Sequence, residues 1–384
     1  MKKAISLLKV SVLFLIPLSF MVHFWITDHR GVMRFLYPAE AVVSHLGAEC
    51  SYGSPDWLID AAKAGIWSLK ALSTQVAFVD EYGVLSHCES GWERSIFGKP
   101  VHADSKFRYG SLTKPVTSAA ILSLETISDF DLSTDVSKYF LDANHEEDVD
   151  ASEFASLDEV LRHVSGIQGE VFTIKEKPWC PYSMGERENY AFKKESKSKI
   201  KYSNLGFCIL GAVVAREIGG DYRASVSKLF NLEERGISFL NGWDAPDFVT
   251  RDFRYNDFYG ISVPARFDYY AISSTAGMAG SASSYARLIK DLLSEGYRDF
   301  VTEKVEGCDS REIRKCYGRA FYVYQTASGE VVNVKEGYLP GSSGVVIIND
   351  RNEVLVWLGN SDTDNAASGE RMKEFIDEIV STAF

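Results

Sequence analysis

"FRYGSLTKPVTSAA", residues 107–120, passes from an extended run into a helix at a serine and carries a lysine three residues later. A serine hydroxyl is a poor nucleophile until a base takes its proton. Side chains at i and i+3 share one face of a helix, so the Lys114 amine can reach the Ser111 hydroxyl from one turn deeper. The amine must be neutral to accept a proton, and burial beside another positive charge lowers a lysine pKa in that way. Ser111 also stands at a helix N-terminus, where free N–H groups and the helix dipole favour a developing oxyanion. The pattern S-x-x-K recurs by chance in many chains, so its meaning depends on what stands downstream.

Two further stretches supply partners. "KYSNLGFCILGAVV" (201–214) sets Tyr202, Ser203 and Asn204 just before a buried helix, and "VNVKEGYLPGSSG" (332–344) sets Lys335, Glu336 and Gly337 on a late strand. In this order and at these separations the three elements resemble the penicillin-recognising serine hydrolases: class C β-lactamases, low-molecular-weight D-alanyl-D-alanine peptidases and S-x-x-K esterases. "LDEVLRHVSGI" (157–167), "AGMAGSASSYARLIKDLL" (276–293) and "YLPGSSG" (338–344) are similar to further segments of that family, so the resemblance runs from about residue 70 to about residue 360.

The resemblance implies an α/β (α+β) fold of the β-lactamase/transpeptidase type, an antiparallel sheet flanked by helices with an inserted helical lobe. It implies Ser111 as nucleophile and Lys114 as its proton acceptor. Tyr202 would relay a proton to the leaving group, Asn204 would hold the acyl side of the substrate, and Lys335 would form a cationic wall that keeps Tyr202 acidic. The N–H groups of Ser111 and Tyr338 would make the oxyanion hole, with Glu336 and Gly337 beside them in the substrate site. Whether Lys114 or Tyr202 is the base stays open. One position departs from the family: the middle residue of the K-x-G triplet is usually threonine or serine, which helps bind a substrate carboxylate, and here it is Glu336. An ionised glutamate there would repel a carboxylate, which favours esters or amides with a neutral or cationic group at that place; the alternative is that Glu336 points away from the cleft and pairs with a neighbour.

Composition agrees with an enzyme of this size. The 384 residues are 46% apolar and 13% aromatic, enough for a sizeable core. With 41 basic and 53 acidic residues the net charge of −12 excludes nucleic acid as the main partner. The basic run "KKESKSKIK" (193–201) reads as a solvated loop or the rim of the site, and "RDFRYNDFYGISVPARFDYY" (251–270) as a packed connection or a pocket wall. The six cysteines form no C-x-x-C pair and His145 lacks metal-ligand spacing, so neither a metal nor a cofactor is expected; His163 reads as a packed structural residue. Cys308 and Cys316 are expected to pair across a polar loop and Cys208 to be a buried free thiol, while Cys50, Cys88 and Cys180 are unassigned.

The N-terminus carries Lys2, Lys3 and Lys9 ahead of a mostly apolar stretch over 10–27 that ends without small residues. It reads as an uncleaved signal-anchor over 1–30, with a cleaved signal peptide or a buried helix as alternatives. Membrane attachment and an extracytoplasmic, periplasmic domain over 45–384 follow, or secretion if the segment is cleaved. Within that domain, a hairpin over 74–93 and strands after 319 enclose helices over 112–126, 156–164, 206–220 and 281–296; a closing helix follows 366. One sheet drawn from both ends of the domain with a helical lobe at roughly 126–270 results. The expected activity is an acyl-enzyme serine hydrolase acting on a small-molecule ester or amide or on a cell-wall peptide. The alternative is a catalytically silent protein that binds a cell-wall peptide or a protein partner in the same cleft.

Overall fold

The computed structural model describes residues 18–20, 22–125, 130–139, 155–169, 171–172, 191–192, 199–242, 248–255, 268–294, 307–362 and 369–383. The chain opens with α1 (His29–Leu46), β1 (Glu49–Cys50), α2 (Asp56–Trp67), β2 (Thr74–Val79), β3 (Leu85–Ser90) and β4 (Phe107–Arg108). Helices α3 (Thr113–Leu124), α4 (Leu157–Leu161), α5 (Asn204–Ile218) and α6 (Tyr222–Leu229) follow, with short strands β5 (Ile167–Gln168), β6 (Ala191–Phe192), β7 (Ser238–Phe239) and β8 (Met278–Gly280). Helix α7 (Ala282–Ser294) precedes β9 (Tyr322–Gln325), β10 (Val331–Leu339), β11 (Ser342–Ile348), β12 (Val354–Gly359) and α8 (Glu370–Ala383).

Among the described residues seven strands form one sheet in the order β1-β3-β2-β12-β11-β10-β9, every neighbouring pair antiparallel. The two ends of the chain meet where β12 pairs with β2, from Val354 opposite Val79 to Gly359 opposite Thr74. Alternation along β12 then sorts the layers. Leu355 and Trp357 pack with Leu58, Ala62, Phe375 and Ile376 of α2 and α8 on one face, whereas Val356 and Leu358 face α3, α5 and α7 on the other. The expected hairpin over 74–93 and the closing helix are both present, and a turn at 349–352 joins β11 to β12.

Local signals fix the helices around the site. Ser156 and Glu159 form a reciprocal capping box at the start of α4. Ser203 caps α5 by accepting a bond from the Gly206 N–H, and Gly219 ends that helix with φ of 78°, a left-handed turn suited to glycine. Helix α3 is buried on every side, which its small and apolar sequence permits.

Two expectations are corrected. Among the described residues no helix is long and apolar enough to cross a membrane, so the signal-anchor and membrane attachment are not borne out. Residues 22–27 are helical, but Asp28 then caps a new helix, α1, through the Gly31 N–H. Tyr37, Ala41 and Ser44 bind α1 to the body, and Arg254 pairs with its Glu40; residues 1–17 lie outside the described residues. Cys208 is buried as expected yet disulfide-bonded, because an apolar setting suits a buried bridge as well as a free thiol; its partner lies outside the described residues. Cys308–Cys316 is a disulfide as expected, and a second one joins the paired strands β1 and β3 at Cys50–Cys88.

The sheet carries an edge that positions the site. Strand β9 pairs with β10 only from Val331 to Val334. Beyond that point the edge of β10 meets the turn at Gly110–Leu112: a Cβ on Gly337 would lie 2.0 Å from Tyr109 O and 3.0 Å from Leu112 N. Gly337→Ala should force this backbone contact open and destabilise the protein by about 1–3 kcal/mol in urea unfolding; an unchanged midpoint would contradict the close approach.

Candidate active site

Ser111 lies in a 3-10 turn, Gly110–Leu112, that leads directly into α3. The hydrogen bonds of the turn use the N–H groups of Leu112 and Thr113, so that of Ser111 is not engaged in them. The turn is held from three sides. Tyr109 N–H donates to Met278 O at 3.0 Å, Met278 N–H donates to Thr113 Oγ1 at 3.1 Å, and the Tyr285 hydroxyl donates to Leu112 O at 2.6 Å. Gly110 has φ of 55°, and a Cβ there would sit 2.7 Å from Tyr338 N. The Ser111 turn and the Tyr338 amide are thus adjacent.

Lys114 lies in the first turn of α3, three residues beyond Ser111, and is 0% exposed. Its Nζ lies 2.7 Å from Asn204 Oδ1, 2.9 Å from Thr275 O and 3.2 Å from Ser111 Oγ. Burial, and after it the charge of Lys335, hold the amine well below its ordinary pKa. A neutral amine has two N–H groups and one lone pair. The Thr275 carbonyl and the Asn204 amide oxygen can only accept, so they take the two N–H groups. The lone pair is left facing the Ser111 hydroxyl, which at the same time accepts a bond from the Tyr202 phenol at 2.8 Å.

Tyr202 is 37% exposed and its ring separates two lysines. Lys114 Nζ lies 4.8 Å from the ring centroid and Lys335 Nζ 4.6 Å, with Tyr317 5.0 Å from Lys335 on a further side. Aromatic faces are favourable but weak partners for a buried cation. Burial accordingly pushes Lys335 down to about 7; Glu336 opposes the shift and Arg314 adds to it.

Glu336 does not join the group around Ser111. Its carboxylate accepts from Arg314 Nε at 2.7 Å and from Arg314 Nη2 at 3.0 Å, and from the Tyr322 and Tyr338 hydroxyls at 2.9 and 3.1 Å. Burial raises its pKa, but Arg314 and these bonds outweigh burial and hold it below the usual carboxylate value. The repulsion expected of a free carboxylate is therefore offset by a guanidinium. Ser111, Lys114, Tyr202, Asn204 and Lys335 come together; Gly337 and Tyr338 adjoin them through backbone; Glu336 is drawn to Arg314.

Three participants carry no signal in the sequence. Thr275 contributes a carbonyl, which any residue carries, and Arg314 and Tyr317 come from a segment without a motif. His163 was expected to be packed, and it is, against Tyr202, Phe207 and Tyr317. Residues 193–198 of the basic run, 256–267 of the aromatic stretch and His145 lie outside the described residues. Among the described residues no cluster of histidine, cysteine or carboxylate side chains could hold a metal ion.

A model of the family described as Beta-lactamase matches residues 68–378. The chain belongs to this family. It is 29% identical over 358 residues to the "Putative fimbrial assembly protein FimD, serogroup D" of Dichelobacter nodosus, covering 90% of this chain and 89% of that one. Among solved structures it is similar to D-amino acid amidase from Ochrobactrum anthropi SV3, with a TM-score of 0.66 at 15% identity over 84% of this chain and 97% of the other. A Beta-Lactamase/D-Alanine Carboxypeptidase from Pseudomonas syringae gives a TM-score of 0.64 at 15% identity, over 85% and 98% of the two chains. At such identities these structures establish the shared β-lactamase/transpeptidase-like fold.

Lys335 fixes the sign of a pH effect on stability. Its amine titrates at about 7 in the folded protein, against an ordinary 10.5. Below the lower value both states hold the proton and the native state bears the cost of a buried charge. Between the two values the unfolded chain binds more protons, so stability rises with pH. Melting temperatures from about pH 6.5 to about 9.5 should therefore climb less steeply for Lys335→Met than for wild type; equal slopes would contradict the depressed amine.

Proposed function

We propose that this Beta-lactamase family protein is a serine hydrolase that works through an acyl-enzyme at Ser111. The observation that carries the reading is the pair of contacts on one hydroxyl: Lys114 Nζ at 3.2 Å and the Tyr202 phenol at 2.8 Å. Ser111 Oγ attacks the substrate carbonyl while its proton passes to the neutral Lys114 amine. The carbonyl oxygen gains negative charge against the N–H groups of Ser111 and Tyr338. As the tetrahedral intermediate collapses, the bond to the leaving group breaks, the phenol protonates that group, and Lys114 returns a proton to Tyr202. Water then attacks the acyl-enzyme by the reverse sequence and frees the acid. Asn204 holds Lys114 and faces the acyl side, and Lys335 supplies positive potential beside the phenol.

The substrate class we infer rests on β10. Glu336 takes the position whose hydroxyl would bind a substrate carboxylate, and its oxygens are committed to Arg314, Tyr322 and Tyr338. We infer a preference for esters or amides without a carboxylate at that point, over penicillins and D-Ala-D-Ala termini. The Cys50–Cys88 and Cys308–Cys316 disulfides support work in an oxidising, extracytoplasmic compartment.

A fluorophosphonate probe should add to Ser111 in wild type, seen by intact mass and peptide mapping. Ser111→Ala should lose labelling and on the order of 10³-fold or more of p-nitrophenyl butyrate hydrolysis while keeping its melting temperature. An unlabelled, inactive wild type would leave a silent binding cleft. For specificity, kcat/KM on p-nitrophenyl butyrate should exceed that on nitrocefin by on the order of 10²-fold; comparable values would overturn the role given to Glu336.

A further inference from the structure

His163 departs from ordinary backbone geometry. Its φ is +60°, a region that non-glycine residues seldom occupy, although histidine enters it more often than most. Such an outlier in a buried residue motivates a search for what it holds in place. The residue is 1% exposed and follows α4, immediately before the turn that leads into β5.

Its contacts converge on Tyr202. The His163 carbonyl accepts from the Lys201 N–H at 2.8 Å, and His163 Nδ1 accepts from the Ser203 N–H at 3.2 Å. Both chain neighbours of Tyr202 are therefore tied to one residue. The imidazole also stacks on the Tyr202 ring, with centroids 4.5 Å apart and planes inclined by 39°. Tyr202 precedes α5 rather than lying in it, so the ladder of that helix does not fix it. An imidazole can accept at Nδ1 only while that nitrogen is unprotonated, and burial, followed by Lys335 and Lys114, holds His163 well below its ordinary pKa.

We propose that His163 is a positioning residue that sets the Tyr202 phenol on Ser111 through its Nδ1 acceptor, with its carbonyl and stacked ring completing the clamp. The left-handed backbone turns the carbonyl and the imidazole toward the same short segment at once. The catalytic consequence rests on the serine-hydrolase reading, whereas the geometric one does not. Displacing a reacting group by about 1 Å costs on the order of 10²-fold in rate, so loss of the clamp acts on kcat rather than on substrate binding.

Two substitutions separate positioning from packing. His163→Phe keeps an aromatic ring and removes the acceptor. His163→Asn places an amide oxygen where Nδ1 stands, tolerates the left-handed backbone and removes the ring. Crystal structures of wild type and both variants should show the Tyr202 hydroxyl within hydrogen-bond reach of Ser111 Oγ in wild type and Asn, and displaced by about 1 Å or more in Phe. With p-nitrophenyl butyrate, kcat of the Phe variant should fall on the order of 10²-fold with KM changed by less than about threefold, and the Asn variant should recover most of that loss. A Phe variant with Tyr202 in place and kcat near wild type would overturn the proposal. So would an Asn variant with Tyr202 displaced, a comparison that decides the matter even where the Phe variant fails to fold. An inactive wild type whose Tyr202 still moves in the Phe variant would overturn the hydrolase reading and leave the clamp standing.

Discussion

The burial of the Lys114 amine among uncharged oxygens is the constraint on which the site depends. An ammonium ion in that position would cost several kcal/mol of desolvation, and its polar contacts are with an amide oxygen, a carbonyl and a hydroxyl rather than a carboxylate. A second cation, Lys335, adds repulsion to burial. Deprotonation relieves both, and the proposed nucleophile Ser111 requires a deprotonated Lys114. Helix α3 serves the same end: its small and apolar residues let it sink wholly into the protein, which carries the lysine away from water.

A second constraint is main-chain proximity. Strand β10 must approach the Ser111 turn more closely than side chains allow, and Gly110 and Gly337 permit it. Because β9 stops pairing at Val334, the continuing edge of β10 is free to form the wall of the site. On that wall Lys335 and Glu336 separate in role. Lys335 turns to the rings of Tyr202 and Tyr317, while Glu336 is neutralised by Arg314. Burial lowers the Lys335 amine to about 7, with Glu336 opposing the shift and Arg314 adding to it.

How much was legible follows from what kind of group each participant contributes. Ser111 and Lys114 were readable because helix spacing puts them on one face, and Tyr202, Asn204 and Lys335 because they recur with that pair in fixed order. The sheet was readable from alternation and turn residues at both ends of the domain. Thr275 was not, since it acts through a carbonyl that leaves no trace in side-chain identity. The Arg314–Glu336 pair spans 22 residues, from a loop through β9 into β10, a separation that side-chain periodicity does not reveal. His163 gave a packing signal and no more, because its hydrogen-bond partners are main-chain N–H groups. The anchor reading is not borne out: among the described residues no helix is long and apolar enough to cross a membrane, and the amphipathic α1 that follows Asp28 packs on the body through Tyr37 and Ala41. Cys208 misled because hydropathy reports burial and is blind to whether a second sulfur faces the first.

The state of the Lys114 amine is open to direct measurement. In protein labelled with 13C at lysine Cε, the Lys114 signal can be assigned through Lys114→Met and followed across pH, independently of any substrate. The account predicts that Lys114 is unprotonated at neutral pH, with a midpoint well below its ordinary 10.5. A Lys114 signal that remains in its ammonium form at neutral pH and titrates near 10.5 would contradict the account.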